Sequence, residues 1–127
     1  MATVATVPGR AGRLDITIER YTSLALPLHV KDQDTGDPID LSVYDSGFRM
    51  DCRENYASDT ILFSLSSANT LIEHTDLGNG DIKLIFPKTL TDDLDRPGIY
   101  DLVGDKSSGE TERLVGGTII LSEGSTR

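Results

Sequence analysis

An all-β sandwich or barrel of about seven or eight short strands is the fold this sequence predicts. Three observations carry that expectation. Segment after segment alternates apolar and polar residues with the two-residue period of a half-buried strand. Glycine-, aspartate- and proline-bearing turns separate those segments at short intervals. The one helical candidate, "TLTDDLD", is long enough for a turn or two at most.

The elements follow in chain order. Residues 1–12, "MATVATVPGRAG", are small, polar or Gly/Pro and read as a flexible N-terminal arm, leaving 13–127 as one sandwich domain. In "RLDITIERY", Leu14, Ile16 and Ile18 share one face, with Asp15, Thr17 and Glu19 on the other. "SLALPLHVKD" repeats the pattern through Leu24, Leu26, Leu28 and Val30. Pro27 cannot donate to a ladder, so that strand is an edge or is bulged there. "DQDTGDP" is a turn, and "GFRMDCREN" alternates Phe48, Met50 and Cys52 with Arg49, Asp51 and Arg53. "TILFSLS" is a fourth strand and "NTLIEH" a short fifth. "DLGNGD" is a hairpin turn in which Asn79-Gly80 suits positive φ. "DIKLIFP" follows, and "GIYDLVGDKSSGETERLVGGTIIL" closes the domain as a hairpin. Tyr100 stands two residues before the inward Leu102. That is the spacing of the tyrosine corner in immunoglobulin-type sandwiches, whose hydroxyl returns to the backbone just upstream. It equally suits an ordinary strand aromatic.

The bulk numbers narrow the function. With 37% hydrophobic residues and no tryptophan, the core must be mostly aliphatic. Twelve basic against 21 acidic side chains give a net charge of −9, and the arginines are scattered among acids. Such a field repels phosphate backbones, so no nucleic-acid partner is expected. The start resembles no secretory signal and no segment has the length to cross a membrane, so no membrane partner is expected either. Cys52 is the only cysteine, which excludes an intrachain disulfide and fits synthesis in a cytoplasm.

Reactive chemistry is hard to build from what remains. His29 and His74 are the only histidines and lack metal-binding spacing. Cys52 falls on the apolar face of its strand and reads as a small core residue. "GDKSSG" has Asp105 where a phosphate loop needs glycine before the lysine. Asp32, Asp34, Asp37 and Asp40 cluster as calcium ligands do, but Gly36 and Val43 stand where the EF-hand pattern wants a different spacing and a glutamate. A turn held by local hydrogen bonds is the expectation. Asp92, Asp93 and Asp95 read as a solvated turn rather than a glycosidase pair. No enzyme, cofactor, catalytic residue or metal site is predicted.

In order along the chain, "LDITIERYTSLALPLHVKDQDTGDPIDLS", "FRMDCREN", "GNGDIKLIFPKTLTDDLDRPGIYDL" and "ERLVGGTIILSEGSTR" resemble a family of small proteins and N-terminal modules from bacteriophage tail and baseplate gene clusters. The resemblance spans about residues 13–127; each motif is degenerate alone, and their order carries it. It implies an Ig-like β-sandwich like the N-terminal domain of baseplate upper proteins. It also implies a structural role in the virion, as a tail or baseplate adaptor or connector made in the host cytoplasm. Its partners would be tail, baseplate or fibre proteins and other copies of itself in a homo-oligomer. Binding would use strand edges, loops and the N-terminal arm. The chain stops at the domain's own last strand, which argues against fibre anchoring and leaves adaptor, decoration and head–tail roles open. The alternative is a carbohydrate-binding or decoration sandwich touching the host surface, for which Tyr21, Tyr44 and Tyr56 are the available platforms. A third reading, an accessory domain of an enzyme, lacks a linker or partner domain.

Overall fold

In the computed structural model, which describes residues 3–7, 12–32 and 35–122, two sheets pack face to face. The strands are β1 (Thr3–Val7), β2 (Gly12–Arg13), β3 (Ile16–Glu19), β4 (Leu24–Asp32), β5 (Gly47–Arg53), β6 (Ile61–Ser66), β7 (Ile72–Asp76), β8 (Asp81–Phe86), β9 (Gly98–Asp105) and β10 (Thr111–Ser122). One sheet runs β1-β4-β8-β7. The other runs β2-β10-β9-β5-β6, with β3 following β2 along β10. The helical turn α1 (Lys88–Asp93) links the sheets between β8 and β9. The all-β sandwich expected from the alternation is what forms, and strands β4 to β10 pair antiparallel with one another.

Alternation along each strand decides which residues meet between the sheets. Phe48, Met50 and Cys52 of β5, Phe63 and Leu65 of β6, Tyr100 and Leu102 of β9, and Ile119 of β10 turn inward from the larger sheet. Leu28, Val30, Ile82, Leu84 and Phe86 meet them from the smaller one. A bulge between Arg113 and Val115 lets both Leu114 and Val115 reach the interior. Pro27 is accommodated because β1 flanks β4 only along Leu28–Asp32. At Leu24–Pro27, β4 has β8 on one side and is an edge on the other.

The N-terminus departs from the expected arm. Thr3–Val7 pairs parallel with Leu28–Asp32, and Gly12–Arg13 and β3 pair parallel with β10. The edges of β4 and β10 offer unpaired amides and carbonyls, and ladder bonds there outweigh the lack of an amphipathic pattern in residues 3–7. Residues 1–2 and 8–11 of that stretch, and 123–127 at the other end, lie outside the described residues. At "DLGNGD" a 3-10 turn (Leu77–Asn79) connects the two strands of the β7–β8 hairpin. Within it Gly80 alone takes positive φ, at 79°, and the site also excludes a side chain, since a Cβ there would fall 2.3 Å from the Val30 carbonyl oxygen.

Tyr100 also departs from expectation. Its hydroxyl donates to the carbonyl of Leu14, between β2 and β3, rather than to a nearby corner. The side chain is buried under the N-terminal strands that run along β10, and this carbonyl is what lies within its reach. Removing the hydroxyl leaves that acceptor unpaired. Tyr100→Phe should therefore lower stability by about 1 kcal/mol. Denaturant titration of the two proteins checks this, and coincident midpoints would contradict the bond.

Candidate interaction surface

The reactive candidates are dispersed. Cys52 is fully buried, and burial pushes its thiol up to about 12, so it is held as a neutral apolar group. His29 Nδ1 lies 2.7 Å from Asp81 on the neighbouring strand β8, while His74 Nε2 lies 2.7 Å from the Ser67 hydroxyl and edge-on to Phe48. The histidines therefore sit in separate places, each in a local contact. Asp40 accepts from the amide and hydroxyl of Ser42, which hold its carboxyl below the usual range. Asp32 accepts from the Thr35 amide at 3.3 Å, and Asp37 closes the turn through its carbonyl to the Asp32 amide. Asp34 lies outside the described residues. Asp92 pairs with Lys88 and Asp95 with Arg96. Among the described residues, no three His, Cys, Asp or Glu side chains are grouped to hold a metal.

The serine-bearing loop between β9 and β10 has a structural use. Ser107 donates through its amide (2.7 Å) and its hydroxyl (2.6 Å) to the carboxylate of Asp45, fastening the hairpin tip to the turn before β5. Those bonds keep Asp45 below the usual carboxylate range. The tyrosines do not form a platform. Tyr44 is buried edge-on to Phe48, Tyr21 is stacked beneath the Arg20 guanidinium, and Tyr56 alone is prominent at 71% exposure.

What the strands do assemble is the outer face of the larger sheet. The residues opposite the core in β5 are Arg49, Asp51 and Arg53; in β9 they are Ile99, Asp101, Val103 and Asp105. The register aligns them in rows across the strands. Arg113, Val103, Arg49 and Ser66 form one row, and Gly116, Asp101, Asp51 and Ser64 the next. Thr118, Ile99, Arg53 and Ile61 form the third. A shallow depression of about 290 Å³ lies among Arg49, Asp51, Arg53, Tyr56 and Ile99. Arg49 pairs with Asp105 at 2.9 Å, and Arg113 reaches Asp101 at 3.2 Å. Gly116 permits that second pair, since a Cβ there would sit 2.8 Å from the Asp101 carboxylate. Arg53 bonds the carbonyl of Ser58. Ile61 and Ile120 add exposed apolar surface. Of these residue types arginine and tyrosine are enriched in protein–protein contact surfaces, while aspartate is depleted there.

The neighbouring strand edge is partly closed. Just past β6 the amide of Ser67 points to β5, so those of Ser64 and Ser66 on the strand point outward by the two-residue period. The Asn69 side chain accepts from the Ser66 amide at 3.0 Å and donates to the Ser64 carbonyl at 3.4 Å. Strand addition, one route the sequence suggested, is thus hindered at this edge while the face beside it stays open. Sequence reasoning placed Arg49, Asp51 and Arg53 on one strand face. It missed their alignment with Asp101 and Arg113, for which only the alternation of each strand gave a signal.

No protein-family model matches this chain, and no curated protein sequence matches it. Among solved structures, the chain is similar to the N-terminal domain of phage TP901-1 ORF48. The two share 11% sequence identity at a TM-score of 0.51, and the alignment covers 94% of this chain and 96% of that one. At that identity the likeness is one of fold, and it extends over nearly all of both chains.

Proposed function

We propose that this chain is a non-enzymatic structural component of a phage virion, an Ig-like adaptor or connector of the tail or baseplate that binds neighbouring virion proteins. The likeness in fold to a phage domain, over nearly all of both chains, carries this reading. The ordered sequence motifs that resemble tail and baseplate modules support it independently. Its chemistry agrees with such a role: the buried thiol and the dispersed histidines suit a scaffold, and the mixed Arg/Asp face with Tyr56 suits a protein partner. Among the described residues no helix is long and apolar enough to cross a membrane.

Cross-linking mass spectrometry on gradient-purified particles tests this. An amine-to-carboxylate linker should find the chain in stoichiometric amounts, joined to tail or fibre proteins through Asp51, Asp101 or Asp105. Its absence from intact particles would overturn the virion assignment.

A further inference from the structure

We infer that the outer face of the larger sheet is self-complementary and pairs two copies of this chain face to face; the pairing deepens the preceding proposal and uses the same surface. Charge is the first reason. Across β10, β9, β5 and β6 this face sets Arg49, Arg53 and Arg113 against Asp51, Asp101 and Asp105, three charges of each sign in a chain of net −9, and Arg13, Asp15 and Glu19 on the flanking N-terminal strands add one net negative charge. The other turns, with Asp32, Asp37 and Asp40 or Asp92, Asp93 and Asp95, are acidic, and two like copies repel when they meet there. The balanced central strands of this face are where approach carries little such penalty.

The order of the charges is the second reason. The rows run acidic (Asp105), basic (Arg113, Arg49), acidic (Asp101, Asp51), then basic again (Arg53). A two-fold axis lying in the contact plane between the two middle rows sets Arg49 of one copy over Asp51 of the other, and the reverse. Charge complementarity of that kind fixes register and excludes displaced pairings. Tyr56, Ile61 and Ile120, at 71%, 44% and 46% exposure, stand around the charged rows and lose water on contact.

Size sets the strength. Four strands about 4.8 Å apart and seven residues long give a footprint of roughly 20 by 23 Å, about 450 Å² per copy. Stable interfaces need about 800 Å² a side. The pair is therefore weak in dilute solution and fills where copies are held close together, as in an assembled particle.

Sedimentation equilibrium of the purified chain at increasing concentration tests the pairing. The expected result is a reversible dimer that weakens about tenfold when salt is raised from 0.05 to about 0.5 M, because screening shortens the reach of surface charges. Arg49→Glu with Arg53→Glu, and separately Asp51→Arg with Asp101→Arg, should each give monomers with near-native melting. Mixing the two variants should restore the dimer. A wild-type chain that stays monomeric at every concentration overturns the proposal, as does a dimer indifferent to both swaps. Cross-links from this face to tail proteins would still uphold the virion role in that event. A dimer that forms as expected from a chain absent from particles would sink the virion role alone.

Discussion

Gly117→Ala should cost about 3 kcal/mol and loosen the N-terminal strands from β10, while Gly116→Ala beside it costs less than about 1 kcal/mol. At Gly117 an added Cβ falls 2.1 Å from the Leu14 carbonyl oxygen and 2.8 Å from its carbon, with Asp15 Oδ1 at 3.1 Å. The two nearest atoms belong to the Leu14 backbone, which cannot swing aside as a side chain can. Three bonds converge at this crossing: the Leu14 amide to Gly116, the Tyr100 hydroxyl to Leu14, and the Thr118 amide to Asp15. Pushing Leu14 outward strains all of them and draws Ile16 and Ile18 from the core, where each is worth about 2 kcal/mol. Chain entropy regained by the freed strand offsets part of that loss and keeps the net cost to a few kcal/mol. At Gly116 the Cβ meets the ends of the Arg113 and Asp101 side chains, which can swing aside. Thermal melting should separate the two variants by roughly 10 °C. Hydrogen exchange in the Gly117 variant should rise first over Ile16–Glu19. Equal melting of the two would mean that the close approach carries no energy.

That crossing marks where the sequence stops being readable. Strands β4, β5, β6, β8 and β9 were legible because each has one wet and one dry face, and Leu28, Met50, Leu65, Leu84 and Leu102 mark the dry one. The pairing of Thr3–Val7 with Leu28–Asp32 was not, because a parallel ladder on a distant edge needs only backbone groups and leaves no periodic signature. The role of Tyr100 was half legible. Its spacing announced an inward aromatic with a hydroxyl to satisfy, but the acceptor came from Leu14 on a strand with no visible link to it. The candidate surface shows the same division. Arg49, Asp51 and Arg53 alternate in plain view, yet their alignment with Asp101 and Arg113 depends on the register of β9 against two strands remote in sequence. Local chemistry encodes which way a residue faces; which residues share a face is decided by topology.

Phe86→Ala should be the most damaging single truncation in the core, at about 4 kcal/mol. The sequence offers neither tryptophan nor a disulfide to join the two sheets. That task falls to Phe86 on β8 and Phe63 on β6, whose rings meet edge-to-face with centroids 5.9 Å apart at 80°. The geometry sets the positive edge of one ring against the negative face of the other, worth about 1 kcal/mol beyond burial. Phe86 is completely enclosed, whereas Phe63 retains 8% exposure near the edge of its sheet, so a cavity at Phe86 is harder to fill by collapse. Phe63→Ala should accordingly cost less, about 3 kcal/mol, and Phe86→Leu, which keeps most of the volume, about 1–2 kcal/mol. Domains of this size hold only about 5–15 kcal/mol in total, so the Phe86→Ala chain should sit close to its folding threshold. Urea denaturation gives all three values, and the double variant gives the coupling between the rings. A coupling energy near zero would show that the rings contribute by volume alone, and a loss under about 1.5 kcal/mol for Phe86→Ala would mean that the two sheets close over the gap.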